Sequence, residues 1–587
     1  MKFKPVLVAL LTVTLIAAAA PAQAGNDTSW IPLGADFRSP GLHGFAFSDQ
    51  TPLTWQFSVL QGGSGKGMVV CTSTSDTNCS GADFFKFNSV LKVCSSASEL
   101  NCIAGVSAQD SSITDGTGTF SKYTITNHLN AYPEDIKAEI PAGGMPSIWS
   151  IPSAPHASGS DYAVVAVIAG DSTKNGQANS ISNTMQLSLI PVTLKDFGKG
   201  QQSIAEGWSQ AKPGIFYDYC TTWQQTPTNS GADCNHVNGP ACILPTVEQG
   251  VCYAEEAFGK IQKFNVQLRL RSEPNGWMHG RMIDPSISIT PNPSGGTNLS
   301  VTAGASTVPM VYQDAQWNTL SDEIKNLWVE CFKDQRLCAS SGWYREGPIP
   351  PKFETLNTLE GQAKTNILLY MYGFGDLPLR IMAAISPLIG NKSSALSNTW
   401  SMRTLTNQEM SGANSCFTKS PGLKGIVTTN STAYSAGPPE FKDGTLNYQV
   451  SSPHFNPDGT TPFKGNYNLV MRSDVARCIY GFSSAPINAS ISVVSSEGSA
   501  DVATTVAAEK DGWIALSANN FQFSAPTIQV KFTQEAPVVP AVAPTATQVV
   551  VAPKPTSKQV TITCVKGKTS KRVSAAKPTC PKGYVKK

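Results

Sequence analysis

The residues best able to do chemistry are thinly spread, and one short run gathers several of them. Trp277, His279 and Arg281 alternate with Met278 and Gly280, and Asp284 follows close behind. Successive side chains on a strand point to opposite faces, so Trp277, His279 and Arg281 would share one. An aromatic ring, an imidazole and a guanidinium on one face suit a sugar or carboxylate ligand. A cross-strand ladder beside a hairpin would use the same residues. Trp343 and Tyr344, shortly after Cys338, form a second aromatic pair able to stack on a sugar. Glu255 and Glu256 are adjacent, which on a strand sends their carboxylates to opposite faces and argues against acid–base pairing. The histidines (His43, His128, His156, His236, His279 and His454) are scattered without metal-ligand spacing.

Other motifs fail on their context. Neither a GxSxG nucleophile elbow nor an HExxH zinc helix occurs. Gly62-Gly63-Ser64-Gly65-Lys66-Gly67 has the look of a phosphate loop, but it lacks the earlier glycine and carries Gly67 where Ser or Thr is required. Ser89-Val90-Leu91-Lys92 satisfies SxxK in a strand-like stretch, where the lysine does not sit beside the serine. Asn456-Pro457-Asp458-Gly459 lacks the alternating acids of a calcium loop and reads as a turn. No catalytic residue, metal or cofactor is expected.

Charge is more informative. From Lys554 to the last residue the chain holds ten basic residues and no acids. Setting these aside with Lys2 and Lys4, the body has 32 basic against 41 acidic residues, a balance of −9. Lys566, Lys568, Lys571, Arg572, Lys577 and Lys582 are the expected contacts to an anionic surface. Each basic residue contributes roughly 1 kcal/mol there, and salt weakens the attraction. Nucleic acid is not an expected partner, because Tyr584 is the tail's one aromatic ring and an exported chain is separated from genomic DNA.

Export is read from the first residues. Lys2 and Lys4 precede the apolar run Val6 to Ala20, and Ala22-Gln23-Ala24 is a small-x-small cleavage site, so the mature chain is expected to start at Gly25. Later apolar runs are all broken by polar residues, so no transmembrane helix is expected in the mature chain. Fourteen cysteines in an oxidising compartment predict local disulfides: Cys71–Cys79, Cys94–Cys102, Cys220–Cys234, Cys242–Cys252, Cys331–Cys338, Cys416–Cys478 and Cys564–Cys580. Connectivity among the four cysteines from Cys220 to Cys252 stays open. The first two pairs form a repeat, V-C-[ST]-S-x-S-[DE]-x-N-C, read as two polar loops each pinned at its base.

The positioning elements are mostly strands. Charged residues make up only 14% of the chain, against about 25% in typical domains, and turn-forming residues are plentiful. A mainly β, multidomain chain is predicted: a signal peptide (1–24), a β domain (25–192), a second β domain (193–302), a mixed helix-containing region (303–430), an immunoglobulin-like sandwich (431–534), a Pro/Ala/Val/Thr-rich linker (535–557) and a basic disulfide hairpin (558–587). Ala163 to Ile168 reads as a buried strand. Met185 to Ile190 alternates up to an expected stop at Pro191. Phe264, Val266, Leu268 and Leu270 alternate up to a turn at Pro274-Asn275-Gly276, with a return through Ile283, Ile287 and Ile289. Leu320, Ile324, Leu327, Trp328 and Cys331 have helical spacing, with Thr319 and Asp322 as a capping box, and Leu377 to Leu388 reads as a short helix. In the sandwich, Ile487, Ala489, Ile491 and Val493 alternate, as do Ile528, Val530 and Phe532, with an Asp511-Gly512 turn between.

The tail from Ile562 to Tyr584 (ITCVKGKTSKRVSAAKPTCPKGY) resembles a Cys/Lys-rich C-terminal module of uncharacterised exported proteins from Gram-positive bacteria. The segment from Gly512 to Gln534 is similar to the closing strands of proteins from the same group. The resemblance implies an envelope or secreted location and brings no activity with it. The expected function is a structural, adhesive or binding module of the cell envelope, held at the cell wall by its tail and facing a protein or glycan ligand. The alternative is a secreted carbohydrate-active or other hydrolase whose carboxylates converge only on folding. A third reading places a soluble ligand site in the helix-containing middle.

Overall fold

A computed structural model describes residues 41–47, 58–196 (except 65–66, 111–112, 114, 125–130 and 174–183), 242–260 (except 246–250), 263–534 (except 334–342, 345–355, 366, 372, 408, 420, 485–486, 495–499, 502–508 and 524–526) and 560–587. The expected leader and linker lie outside these residues. The chain is mainly β and divides into two compact units, 1–535 and 536–587.

The first unit contains two sandwiches that share a wall. Strands Asp161–Thr173, Thr184–Asp196, Ala395–Thr404 and Gly276–Pro291 pair antiparallel in that order. Facing them are Cys102–Gln109, Lys263–Leu270 and Thr297–Gln316. Between lies a core built around Tyr162, Val164, Leu187, Phe264, Met278 and Trp400. Gly276–Pro291 reaches both sheets because its register shifts between Ile283 and Ser286, where Asp284 adopts φ 46°. Such a bulge bends a strand, and Pro285, with no N–H to leave unpaired, fits the break in the ladder.

The second sandwich begins on the same strand. Gly276–Pro291 runs parallel to Leu423–Thr429, followed by Gly465–Arg472 and Trp513–Phe521. The opposing sheet is ordered Ala433–Tyr434, Thr445–Ser451, Thr527–Gln534, Ile487–Val494. Every alternating apolar residue expected here is buried, and Trp277, Tyr448, Tyr467, Ile491, Leu516 and Val530 share the core. Trp277 therefore faces this second core, while Met278 and Met282 face the first. A shared wall buries both faces of its strands, which is why Trp277 to Met282 is buried throughout.

Helices Asp322–Lys333 and Asp376–Ile385 form a third core with Phe45, Phe47 and Trp317. Leu320, Ile324, Leu327, Trp328 and Cys331 are all buried, as their spacing predicts. The cap differs: Ser321 Oγ accepts from the Ile324 N–H at 3.3 Å, while Thr319 Oγ1 donates to the Gln316 carbonyl, so no Thr319–Asp322 box forms. Thr319 is already held in a 3-10 turn one step upstream.

Several strands run across positions expected as boundaries. The 192/193 and 302/303 positions fall inside Thr184–Asp196 and Thr297–Gln316, and the second sandwich draws strands from before residue 431. Pro191 does not end its strand. The ladder to Asp161–Thr173 runs through Pro191, and from Val192 the strand pairs with Val251–Glu255 instead, so the proline sits where partners exchange. Lys263–Leu270 and Gly276–Pro291 do not pair as a hairpin, because Thr297–Gln316 lies between them.

The disulfides Cys71–Cys79, Cys94–Cys102, Cys416–Cys478 and Cys564–Cys580 are formed as expected. Cys331 is also disulfide-bonded. The other expected pairs rest on side chains outside the described residues. Both repeated loops are held from within: Asp76 accepts from the Thr72 N–H and hydroxyl, and Glu99 accepts from the equivalent groups of Ser95. Both also lean on one segment, Thr74 donating to Asp135 and Asn101 to Glu134. They are pinned turns.

The second unit is a three-stranded sheet, Thr569–Ala575, Val560–Lys566, Val585–Lys586, closed by Cys564–Cys580. Ile562 and Cys564 are its buried side chains, so the disulfide substitutes for a core of normal size. Among the described residues, no helix is long and apolar enough to cross a membrane.

Candidate binding groove and the buried polar network behind it

The run flagged by the sequence lies inside the second sandwich. His279 pairs across the sheet with Arg403 and its ring stacks on Tyr434, centroids 4.1 Å apart and planes 3° from parallel. Arg281 lies over the other part of the same arrangement, its guanidinium carbon 4.5 Å from the Tyr434 ring centre. Its Nη1 donates to the Thr429 and Ser431 carbonyls, each at 2.8 Å. Burial pushes the His279 pKa well down, and the charges of Arg281 and Arg403 push it further, so the ring is neutral. Trp277 packs edge-on against Phe417 at 4.9 Å. Trp277 and His279 are too deeply buried to meet a ligand directly, as is Arg281 at 4% exposed. His279 pairs with Arg403 on the neighbouring strand, while Tyr434 comes from the opposing sheet.

Arg403 carries this network outward. It forms a two-pronged ion pair with Glu409, at 2.7 and 2.6 Å, and its guanidinium sits 5.1 Å from the centre of Phe374. Burial raises the Glu409 pKa, but the Arg403 hydrogen bonds and charge, joined by the Thr406 N–H and hydroxyl, outweigh it and hold the carboxyl below its ordinary value. Near this network, Trp277 Nε1, His279 Nε2 and the Tyr448 and Tyr467 hydroxyls have no hydrogen-bond partner among the described residues. Each such buried group costs about 1–3 kcal/mol. Burial alone raises the Tyr467 hydroxyl pKa, and it is the leading cause for Tyr448.

Glu409 opens onto a half-open groove of about 740 Å³, inside the roughly 300–1,000 Å³ range of small-ligand sites. Its floor is the solvent face of two strands: Thr445, Asn447 and Gln449 alternate with the buried Leu446, Tyr448 and Val450, and Thr527 and Gln529 lie on the neighbour. Gln529 Nε2 donates to Asn447 Oδ1 at 3.1 Å, which fixes both side-chain amides. One wall runs from Glu409 to Asn414, the other from Ser435 to Asp443.

Both walls are anchored on helix Ser473–Tyr480. Cys478 is joined to Cys416 just beyond the first wall, and Tyr480 packs on Phe441 of the second at 4.8 Å. The walls also touch each other, because a Cβ at Gly437 would lie 2.5 Å from the Glu409 carbonyl oxygen and its φ is +82°. The second wall ends in a two-residue turn, Asp443-Gly444, closing Lys442 on Thr445. Both turn residues have positive φ, as such a hairpin requires. The groove thus presents hydroxyls and amides on a stiff floor. That is hydrogen-bonding chemistry, and among the described residues no group of three or more His, Cys, Asp or Glu gathers as for a metal.

Other flagged residues stay apart. Ser89 Oγ bonds the Tyr132 hydroxyl and the Pro141 carbonyl, and Lys92 follows on a strand. Glu256 pairs with Lys195 at 2.9 Å. Asp458 Oδ1 accepts from the Thr460 and Thr461 N–H groups within a turn. Gly62 to Ser64 lie on a strand paired with Gly67–Val70. Trp343 and Tyr344 form a short strand against Ile367–Met371, with side chains outside the described residues. In the second unit Lys566, Lys568, Lys571, Arg572, Lys577 and Lys582 are all exposed, and Lys571 lies 5.8 Å from the Tyr584 ring centre.

The chain matches no protein-family model, no curated protein and no solved structure. Its groove was missed in the sequence because the outward residues of an alternating strand read as ordinary solvent-facing ones. A signal was present: Thr445, Asn447 and Gln449 are hydroxyl and amides where lysine or glutamate is commoner.

Proposed function

We propose that this chain is an exported, non-enzymatic binding protein of the cell envelope, whose groove receives a ligand and whose basic C-terminal unit holds it to an anionic wall polymer. The observation that carries the reading is the second unit: a disulfide-closed sheet whose described cations are all exposed, with no acidic side chain from residue 560 onward. Several lysines and an arginine on one rigid scaffold give an additive, salt-sensitive attraction to polyanions. The opposite charge balance of the body makes the tail the favoured contact with such a surface. Paired cysteines support an oxidising compartment.

The test is truncation after Thr556. The shortened protein is expected in the medium and the full chain in the wall fraction, released by high salt. Equal distribution of the two would defeat the anchor.

A further inference from the structure

We infer that the groove floored by Asn447, Gln449 and Gln529 is a site for an uncharged oligosaccharide. The inference rests on the binding-module reading and names its ligand class.

The lining decides against other classes. Glu409 is neutralised by Arg403, leaving Glu440 and Asp443 against Lys442, so the rim carries more negative than positive charge. A polyanion is repelled here and attracted by the tail, so the two surfaces select ligands of different charge. A peptide adding as a strand needs an unpaired backbone edge. Thr445–Ser451 is paired with Glu440–Lys442 and Ala433–Tyr434 on one side and with Thr527–Gln534 on the other, so the floor strand is closed to an added strand and offers its side chains. The floor offers no deep apolar pocket for a hydrophobic anchor.

What the floor does offer suits hydroxyl groups. An amide side chain presents a donor and an acceptor side by side, matching neighbouring hydroxyls on a sugar ring. Asn447 is oriented by the Glu440, Lys442 and Thr445 carbonyls and by Gln529, so it is set before any ligand arrives. Gln449 is exposed, and among the described residues its side-chain amide has no hydrogen-bond partner, which leaves it to a ligand. Pro438, Pro439 and Phe441 supply apolar surface on one wall for the C–H face of a ring. The volume and the open side favour a chain of several rings over a single sugar.

The test uses the full mature chain on an array of neutral, N-acetylated, sulfated and phosphorylated oligosaccharides. It is run at low salt and at about 0.5 M salt, where screening shortens to roughly 4 Å and suppresses the tail. Uncharged oligosaccharides are expected to bind at both salt levels. Gln449→Ala and Gln529→Ala should each weaken that binding about fivefold, the worth of one neutral hydrogen bond. A variant with Lys566, Lys571 and Arg572 changed to glutamine should leave it unchanged. Capture of sulfated or phosphorylated probes alone, abolished by salt, would overturn the groove assignment while leaving the tail's role intact. No uncharged probe bound, or uncharged binding insensitive to both glutamine substitutions, would overturn it equally.

Discussion

Substituting Glu409 by glutamine probes the link between groove and core. Glu409 and Arg403 have side chains 5% and 16% exposed, so solvent screens their pairing weakly. In Glu409→Gln the Arg403 guanidinium keeps its place beneath the sheet, stacked near Phe374, with its counter-charge gone. Leaving one member of a buried pair uncompensated costs about 3–5 kcal/mol. Arg403→Met should cost less, about 2–3 kcal/mol, because Glu409 still accepts from the Thr406 N–H and hydroxyl. The double variant removes both charges, and its cost should be about 1–2 kcal/mol, below either single change. Urea unfolding followed by tryptophan fluorescence at neutral pH completes the cycle, with a coupling of roughly 3 kcal/mol or more expected. Additive costs, or single changes below about 1 kcal/mol, would refute the claim that this pair organises the site. The pH dependence gives a second reading of the same pair. The folded carboxyl lies below its ordinary 4.5, so its stabilisation is present above that value and disappears as pH falls through the lower folded value.

Two further changes test the frame. His279 is held neutral by burial and neighbouring arginines, so below its ordinary 6.5 the unfolded chain takes up a proton that the folded one refuses, and stability falls with acidification. His279→Gln should flatten that decline by up to about 1.4 kcal/mol per pH unit between 6.5 and 5.5, measured by urea midpoints; an unchanged slope would remove His279 from the account. Replacing Cys416 and Cys478 together by serine opens a link spanning 62 positions and should cost about 4 kcal/mol in the same assay. An unchanged midpoint would mean that the wall needs no staple.

Local patterns in the chain determined a great deal. Alternation at Phe264 to Leu270, Ile487 to Val493 and Ile528 to Phe532 marked real strands, since one buried face leaves a period of two. The four disulfides seen here follow cysteine order, three of them closing loops of 8, 8 and 16 positions where nearby thiols meet first and the fourth spanning 62. The tail hairpin was legible for the same reason: Gly567 has the φ of 58° that a turn between Val560–Lys566 and Thr569–Ala575 needs. The run Trp277 to Arg281 was correctly placed on a strand.

Tertiary structure alone decided what that strand faces. On a strand buried on both sides the pattern does not mark which face is which, and nothing local tells that Trp277 joins one core and Met278 another. Arg403, 124 positions from His279, lies beside it on the neighbouring strand, and Tyr434, 155 positions away, meets it from the opposing sheet, contacts that depend on pairing between distant segments. The groove exists because helix Ser473–Tyr480 ties two loops from either side of it. Glutamines 449 and 529 become neighbours only when Thr445–Ser451 lies beside Thr527–Gln534, through a contact whose cost in chain entropy no local propensity records.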